Sequence, residues 1–462
     1  MEAVSANGTT PYDVVIVGAG VVGCAIARAL SRFELRVALL DGNDDVGAGT
    51  SKANSAILHT GFDAPVDTLE ADLVSRGHRL LASYGSEVGI PIDRVGALVV
   101  AWSPSDVDEL SAIAGRARQN GYQRGTILSA EETYQRLPAL ARGALGAFSV
   151  PDESIICPFT TSIALAADAV ENGVELNLGS RVTNLTLKSA FEWAVECENR
   201  TLSTRWVVNA AGLHSDEVEA MLGNTEHKVT PRRGEFVLFD KTAGSLAPSI
   251  VLPVPTARSK GVLLAPTVFG NLLLGPTAED VHDKGDTRTT DFGIAQLIAR
   301  GERVMPGIGQ HEITSTYAGL RAVGPVGYEV DADGDTGYVW AYGIRSTGLT
   351  ASMAIAEHLV DRMAGAGLAT SRRLTPAQRP RGLNFLGENG VRRFDTVGGR
   401  VMCFCENTTL EDLESALTST IPPRSLDGLW RRTRAMGGRC QGFNCRPEVT
   451  AWFEHMVEGM QH

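Results

Sequence analysis

A short apolar run, Tyr12–Val17, enters Gly18-Ala-Gly20-Val-Val-Gly23, and an Ala-rich stretch with helical spacing follows from Cys24 to Ser31. A strand that turns through three glycines into a helix leaves few folds open. Gly18 permits the tight turn, Gly20 lets the backbone approach a pyrophosphate, and Gly23 lets the helix lie close to the sheet. The unsatisfied N–H groups at the start of that helix then face the anion. A second apolar run, Arg36 to Leu40, ends in Asp41, where a carboxylate can accept from a ribose diol. Both strands are near-continuous apolar runs, as in a parallel sheet covered on both faces. The pattern predicts a βαβ dinucleotide-binding unit.

The rest of the chain supports a large α/β protein. At 462 residues it is long enough for about three folding units. Residues 67–84, 105–121 and about 349–363 carry helical periodicity, and 93–102, 181–187, 191–197, 201–208 and 338–342 read as strands. Short β-like runs between 231 and 276 suggest an antiparallel sheet. Residues 371–400 hold seven Arg, two acids, two Pro and five Gly, a linker composition. With 42 basic against 54 acidic residues the net charge is −12, which argues against nucleic acid as a partner. No apolar run is long enough to span a bilayer, and the first dozen residues lack a signal-peptide pattern, so the expected location is cytoplasmic.

The stretches Gly18–Gly23, Thr50-Ser-Lys-Ala-Asn-Ser-Ala-Ile-Leu-His-Thr-Gly61, Asn209-Ala-Ala-Gly212, Ser259-Lys-Gly-Val262, Gly319-Leu-Arg321 and Gly343-Ile-Arg-Ser-Thr-Gly-Leu-Thr350 resemble the glycine oxidase and D-amino-acid oxidase superfamily of flavoproteins. Within it the likeness is to FAD-dependent glycerol-3-phosphate dehydrogenases and oxidases, with L-2-hydroxyglutarate oxidases close behind. The resemblance implies a Rossmann-like FAD domain (1–85, 150–215 and 315–370) with an inserted α+β antiparallel-sheet substrate domain (86–149 and 216–314). It implies FAD contacts at Gly18, Gly20, Val22, Gly23, Asp41, Gly42, Thr50, Ser51, Asn54, Ser55, Val182, Ala210, Ala211, Gly212, Gly343, Thr347, Gly348, Leu349 and Thr350. It places His59 on the substrate side of the flavin and Lys260, Arg321 and Ser346 in the pocket. Arg345 could bind substrate or form a structural ion pair. Imidazole can take a hydroxyl proton near neutral pH, while Lys and Arg suit an anionic tail.

Of seven cysteines, four lie near the C-terminus as two close pairs, Cys403-x-Cys405 and Cys440-x4-Cys445. Four soft ligands suit zinc or an iron–sulfur cluster. The segment from Val401 to Cys445 is similar to the bacterioferritin-associated-ferredoxin-like [2Fe–2S] domain. On that likeness 371–398 is a linker, 399–462 is a separate cluster-binding module, and Arg431, Arg432, Arg434 and Arg439 offset the cluster's negative charge. A flavin takes two electrons together and a [2Fe–2S] centre takes one, so the pair implies a dehydrogenase whose electrons leave through a partner protein or quinone-linked subunit, in an oligomer or hetero-complex. The Ser346-Thr-Gly348 turn matches the oxidase branch and not the Gly-Gly-Lys of the dehydrogenase branch. The expectation is oxidation of a small anionic secondary alcohol, glycerol 3-phosphate or a 2-hydroxy acid. The alternatives are an opine- or proline-type amine dehydrogenase and a pure electron-transfer subunit.

Overall fold

In the computed structural model, which describes residues 11–255, 261–375, 377–380 and 399–460, the Tyr12–Val17 strand lies between two parallel neighbours, Val37–Asp41 and Arg200–Asn209. Glu175–Leu178 extends this sheet parallel to Val37–Asp41, and Tyr338–Tyr342 runs parallel to Arg200–Asn209. Val182–Ser189 and Glu192–Cys197 complete one side as an antiparallel meander. Val14, Val15 and Ile16 are wholly buried, which is why the sequence shows no polar alternation there. The Val21–Leu30 helix packs between Pro158–Glu171 and Gly348–Gly365 on one face. Leu69–Val88 packs outside Gly348–Gly365. Its first turn is capped by Thr68, whose hydroxyl accepts from the Ala71 N–H, and it ends at left-handed Gly89.

The second sheet has nine strands and is built around a long antiparallel pair, Thr230–Phe239 with Ile313–Val323. The expected boundary at residue 315 is therefore displaced: the whole of Ile313–Val323 belongs to this sheet. One contact, Ile250–Pro253 with Ala97–Ala101, is parallel, so the sheet is not purely antiparallel. It arises because the earlier insertion adds its strands edge-on to the later one.

The C-terminal segment forms a small hairpin, Val401–Cys403 with Thr408–Thr409, and three helices, Leu410–Leu417, Leu426–Thr433 and Arg446–Met460. The sequence reads as a separate module, yet Met402, Leu413, Leu417, Leu429 and Phe453 join the same apolar core as the first sheet and its helices. Residues 371–375 and 377–380 run back along the first domain, where Arg373 donates to the carbonyls of Phe33 and Leu35. The remainder of the expected linker, 381–398, lies outside the described residues. No helix among the described residues is long and apolar enough to cross a membrane.

Candidate functional site: a cofactor cleft roofed by the C-terminal helices

A cavity of about 790 Å³ opens at the C-terminal ends of the parallel strands, where α/β sheets hold their ligands. The glycine turn forms its floor. Gly18 sits at φ +106°, and a Cβ there would come within 2.5 Å of the Ala210 carbonyl oxygen. A Cβ on Gly23 would lie 1.9 Å from the Gly18 oxygen, so the helix can rest on the turn only without one. The helix that opens here has no acidic residue in its first turn. These features fit a diphosphate. Gly18→Ala and Gly23→Ala are expected to displace the turn, lowering the melting temperature and weakening flavin retention at least about tenfold, read from the absorbance ratio of the purified chain.

Of the expected cofactor residues, Gly18, Gly20, Asp41, Gly42, Thr50, Ser51, Asn54, Val182, Ala210, Ala211 and Gly212 line this cavity. Asp41 also holds the turn, since its carboxylate accepts from the Ala19 N–H at 2.7 Å and from the Asn43 N–H at 2.8 Å. Residues 50–56 are pinned on both sides. Ser51 Oγ accepts from the Val21 N–H, Thr50 Oγ1 donates to the Leu320 carbonyl, and Asn54 bridges Ser51 and Ala56.

The other expected contacts are outside the lining. Val22 lies on the helix, and Ser55 lies in the 50–56 loop. Gly343 passes against the Gly327 backbone, where a Cβ would be 1.9 Å from a carbonyl oxygen. Thr347 is engaged by Tyr328 and Glu70 at 2.7 and 2.9 Å, while Gly348, Leu349 and Thr350 start the following helix. Thr350 serves a different purpose, because its hydroxyl accepts from the His59 N–H at 3.0 Å and so fixes the end of the loop that carries His59.

His59 faces a residue that no sequence pattern flagged. Its Nδ1 lies 3.2 Å from Oε2 of Glu153, an ion-pair distance without the alignment of a hydrogen bond. Glu153 is fully buried, and its other oxygen accepts from both the N–H and the hydroxyl of Thr60 at 2.7 and 2.8 Å. A carboxylate there favours the tautomer with its proton on Nδ1, leaving Nε2 as the basic nitrogen. Arg321 follows the lining residues Gly319 and Leu320. Its guanidinium packs over Gly234 and makes one long bond, 3.4 Å, to the Thr277 carbonyl. Burial, and then the nearby Arg232, push its pKa down. Arg345 is half-exposed, 3.9 Å from Glu70, and Ser346 is exposed. Lys260 lies outside the described residues.

The C-terminal helices contribute to the cavity itself: Trp430 and Arg434 line it beside Phe159 and Phe269. The four cysteines lie behind them as two pairs, Cys405 with Cys440 and Cys403 with Cys445, each within hydrogen-bonding reach. Burial and then Cys403 push the Cys445 thiol up to about 11, while the Asn444 N–H pulls Cys440 down. Among the described residues no group of three or more His, Cys, Asp or Glu is placed to hold a metal ion. The arginines expected to offset a cluster are mostly committed elsewhere. Arg431 and Arg432 are buried against Asp45, and Arg439 makes a two-pronged contact with Asp240. They fasten the module to the two sheets.

Fold and cleft together define a dinucleotide-dependent oxidoreductase of the two-domain flavoprotein class. The FAD dependent oxidoreductase (DAO) family model matches residues 13–362, and the chain belongs to that family. It is 35% identical over 449 residues to a glycerol 3-phosphate dehydrogenase of Caloramator mitchellensis, covering 95% of this chain and 93% of the relative. It is 30% identical to a glycerol 3-phosphate oxidase of Mycoplasma pneumoniae, over 75% of this chain and 93% of the oxidase. The solved structure of dithionite-reduced L-alpha-glycerophosphate oxidase from Mycoplasma pneumoniae with FAD bound superposes with a TM-score of 0.75 at 28% identity, over 80% of this chain and 98% of that one. The cofactor is FAD.

Proposed function

We propose that this chain is an FAD-dependent dehydrogenase of a small secondary alcohol with an anionic tail, glycerol 3-phosphate first among the candidates. The observation that carries this reading is the His59–Glu153 pair at the end of the loop that lines the cofactor cleft. Bound FAD supplies a two-electron acceptor for the hydride that leaves the carbinol carbon. His59 Nε2 takes the hydroxyl proton, and Glu153 stabilises the imidazolium that results. Arg321, with Lys260, holds the anionic tail, and Ser346 and Arg345 complete the pocket mouth. Thr350 and Thr60 keep the imidazole and its carboxylate in register.

Cys403, Cys405, Cys440 and Cys445 would hold a [2Fe–2S] cluster, which would take electrons one at a time and pass them to an acceptor protein or quinone-linked subunit. Two thiol pairs, instead of one convergent set, suit a binuclear centre in which each iron takes two ligands. The alignment with the dehydrogenase covers 95% of this chain. The span 399–462 is a larger share of the chain than the part left unmatched, so the likeness reaches into the cysteine module.

The test is anaerobic. Glycerol 3-phosphate added to the purified chain should bleach the flavin absorbance, and the chain should carry iron and acid-labile sulfide. Bleaching by proline or sarcosine but by no hydroxy compound would transfer the reading to amine oxidation. Reduction by a redox protein alone would make the chain an electron-transfer subunit.

A further inference from the structure

Arg434 differs from its three neighbours in the module. It is 4% exposed, makes no ion pair with any described carboxylate, and its Nε has no hydrogen-bond partner. A left-handed φ of 64° at the end of the Leu426–Thr433 helix turns its side chain inward. There the guanidinium carbon lies 4.2 Å from the Phe269 ring centre, 4.9 Å from Trp430 and 5.7 Å from Phe159. Those rings line the cofactor cavity together with Arg434 itself. Burial disfavours its charged form, and Glu406, Cys157 and Cys403 lie on its other side. Ring quadrupoles compensate a buried cation only in part. A cation kept in such a place, on a strained backbone, lacks the full negative charge that would balance it.

We propose that Arg434 is the charge-compensating residue at the boundary between the FAD cleft and the four cysteines, and that it raises the reduction potential of the centre they hold. This rests on the reading of those cysteines as [2Fe–2S] ligands. When the centre gains one electron from the reduced flavin, its net charge falls by one unit. A fixed positive charge stabilises that state more than the oxidised one. Arg434 is thus a positioning charge and not a ligand.

The experiment uses the full chain, reconstituted anaerobically with iron and sulfide, as wild type, Arg434→Met, Arg434→Gln and Arg434→Lys. Midpoint potentials are read from the electron paramagnetic resonance signal of the reduced centre in a mediated titration. Arg434→Met and Arg434→Gln should favour the oxidised state at least about tenfold, a fall of about 59 mV for a one-electron couple, and Arg434→Lys should recover most of it. In protein stripped of cofactors, Arg434→Met should melt at or above wild type, because an uncompensated buried charge has gone. Unchanged potentials in variants that carry the cluster would overturn this inference alone, as would a cofactor-free Arg434→Met or Arg434→Gln chain that melts lower, which makes the residue a packing element. Wild type that assembles no cluster would overturn the cluster reading and this inference with it.

Discussion

Glu153→Gln is expected to slow reduction of the bound flavin by the alcohol substrate about 10²- to 10⁴-fold while leaving substrate affinity close to wild type. The scale follows from the carboxylate-to-amide exchange behind the histidine of serine proteases, where the wrong tautomer costs up to about 10⁴. Here the amide oxygen can still accept from the Thr60 N–H and hydroxyl, so the fold is kept. The amide nitrogen then faces His59 Nδ1 and donates to it. The ring proton moves to Nε2, and the lone pair that should take the substrate proton is lost.

Stopped-flow reduction under nitrogen measures this directly, and His59→Asn should fall at least as far. A Glu153→Gln chain reduced as fast as wild type would remove Glu153 from the chemistry.

The division between what could be read from the chain and what could not follows sequence distance. The glycine turn, the Arg36 to Leu40 strand, Asp41 and the Asn209–Gly212 turn are local patterns whose meaning is set by backbone geometry, and the structure places them around one cavity. His59 belongs to a stretch whose neighbours line that cavity, so it too was accessible. Glu153 was not. It precedes a short strand, Ser154–Ile156, that pairs with Ile57–Leu58, and only this pairing puts residue 153 beside residue 59.

The same limit governs the C-terminal arginines. Four basic residues near four cysteines suggest charge neutralisation, and a linear pattern cannot reveal that Asp45 waits 386 positions earlier to bury two of them. Nor does composition show that helices after a Gly- and Arg-rich linker would roof a cleft built by elements that precede Arg321. The linker reading itself carries an expectation of independence. The continuous apolar core from Met402 to Phe453 overrides it.

Asp45→Asn is expected to destabilise the chain by about 3–5 kcal/mol, the range for removing one partner of a buried ionic cluster. Asp45, Arg431 and Arg432 are each 1% exposed. Both carboxylate oxygens are used: Arg431 Nη2 donates at 2.7 Å, and Arg432 donates from Nη1 and Nη2 at 2.6 and 3.0 Å. The guanidiniums are otherwise satisfied by the Val46, Ile421 and Gly428 carbonyls and by Asp427, so no water replaces a lost carboxylate. An exposed pair such as Arg362 with Asp331 contributes under about 1 kcal/mol by contrast.

The damage should be local first. Asp45 closes the loop after the Val37–Asp41 strand, and its partners lie on the helix that brings Trp430 and Arg434 to the cleft. Loss of flavin, seen as a rise in its fluorescence, should therefore precede global unfolding in a urea titration. Exchanging all three charges together, as Asp45→Leu with Arg431→Met and Arg432→Met, should restore part of the stability, because no buried charge is left unpaired, while the Val46 and Ile421 carbonyls lose their donors. If Asp45→Asn costs no more than a surface pair, or if the triple exchange is worse than the single one, the clasp between module and cleft is not electrostatic, and apolar packing through Leu429 and Met402 holds the roof instead.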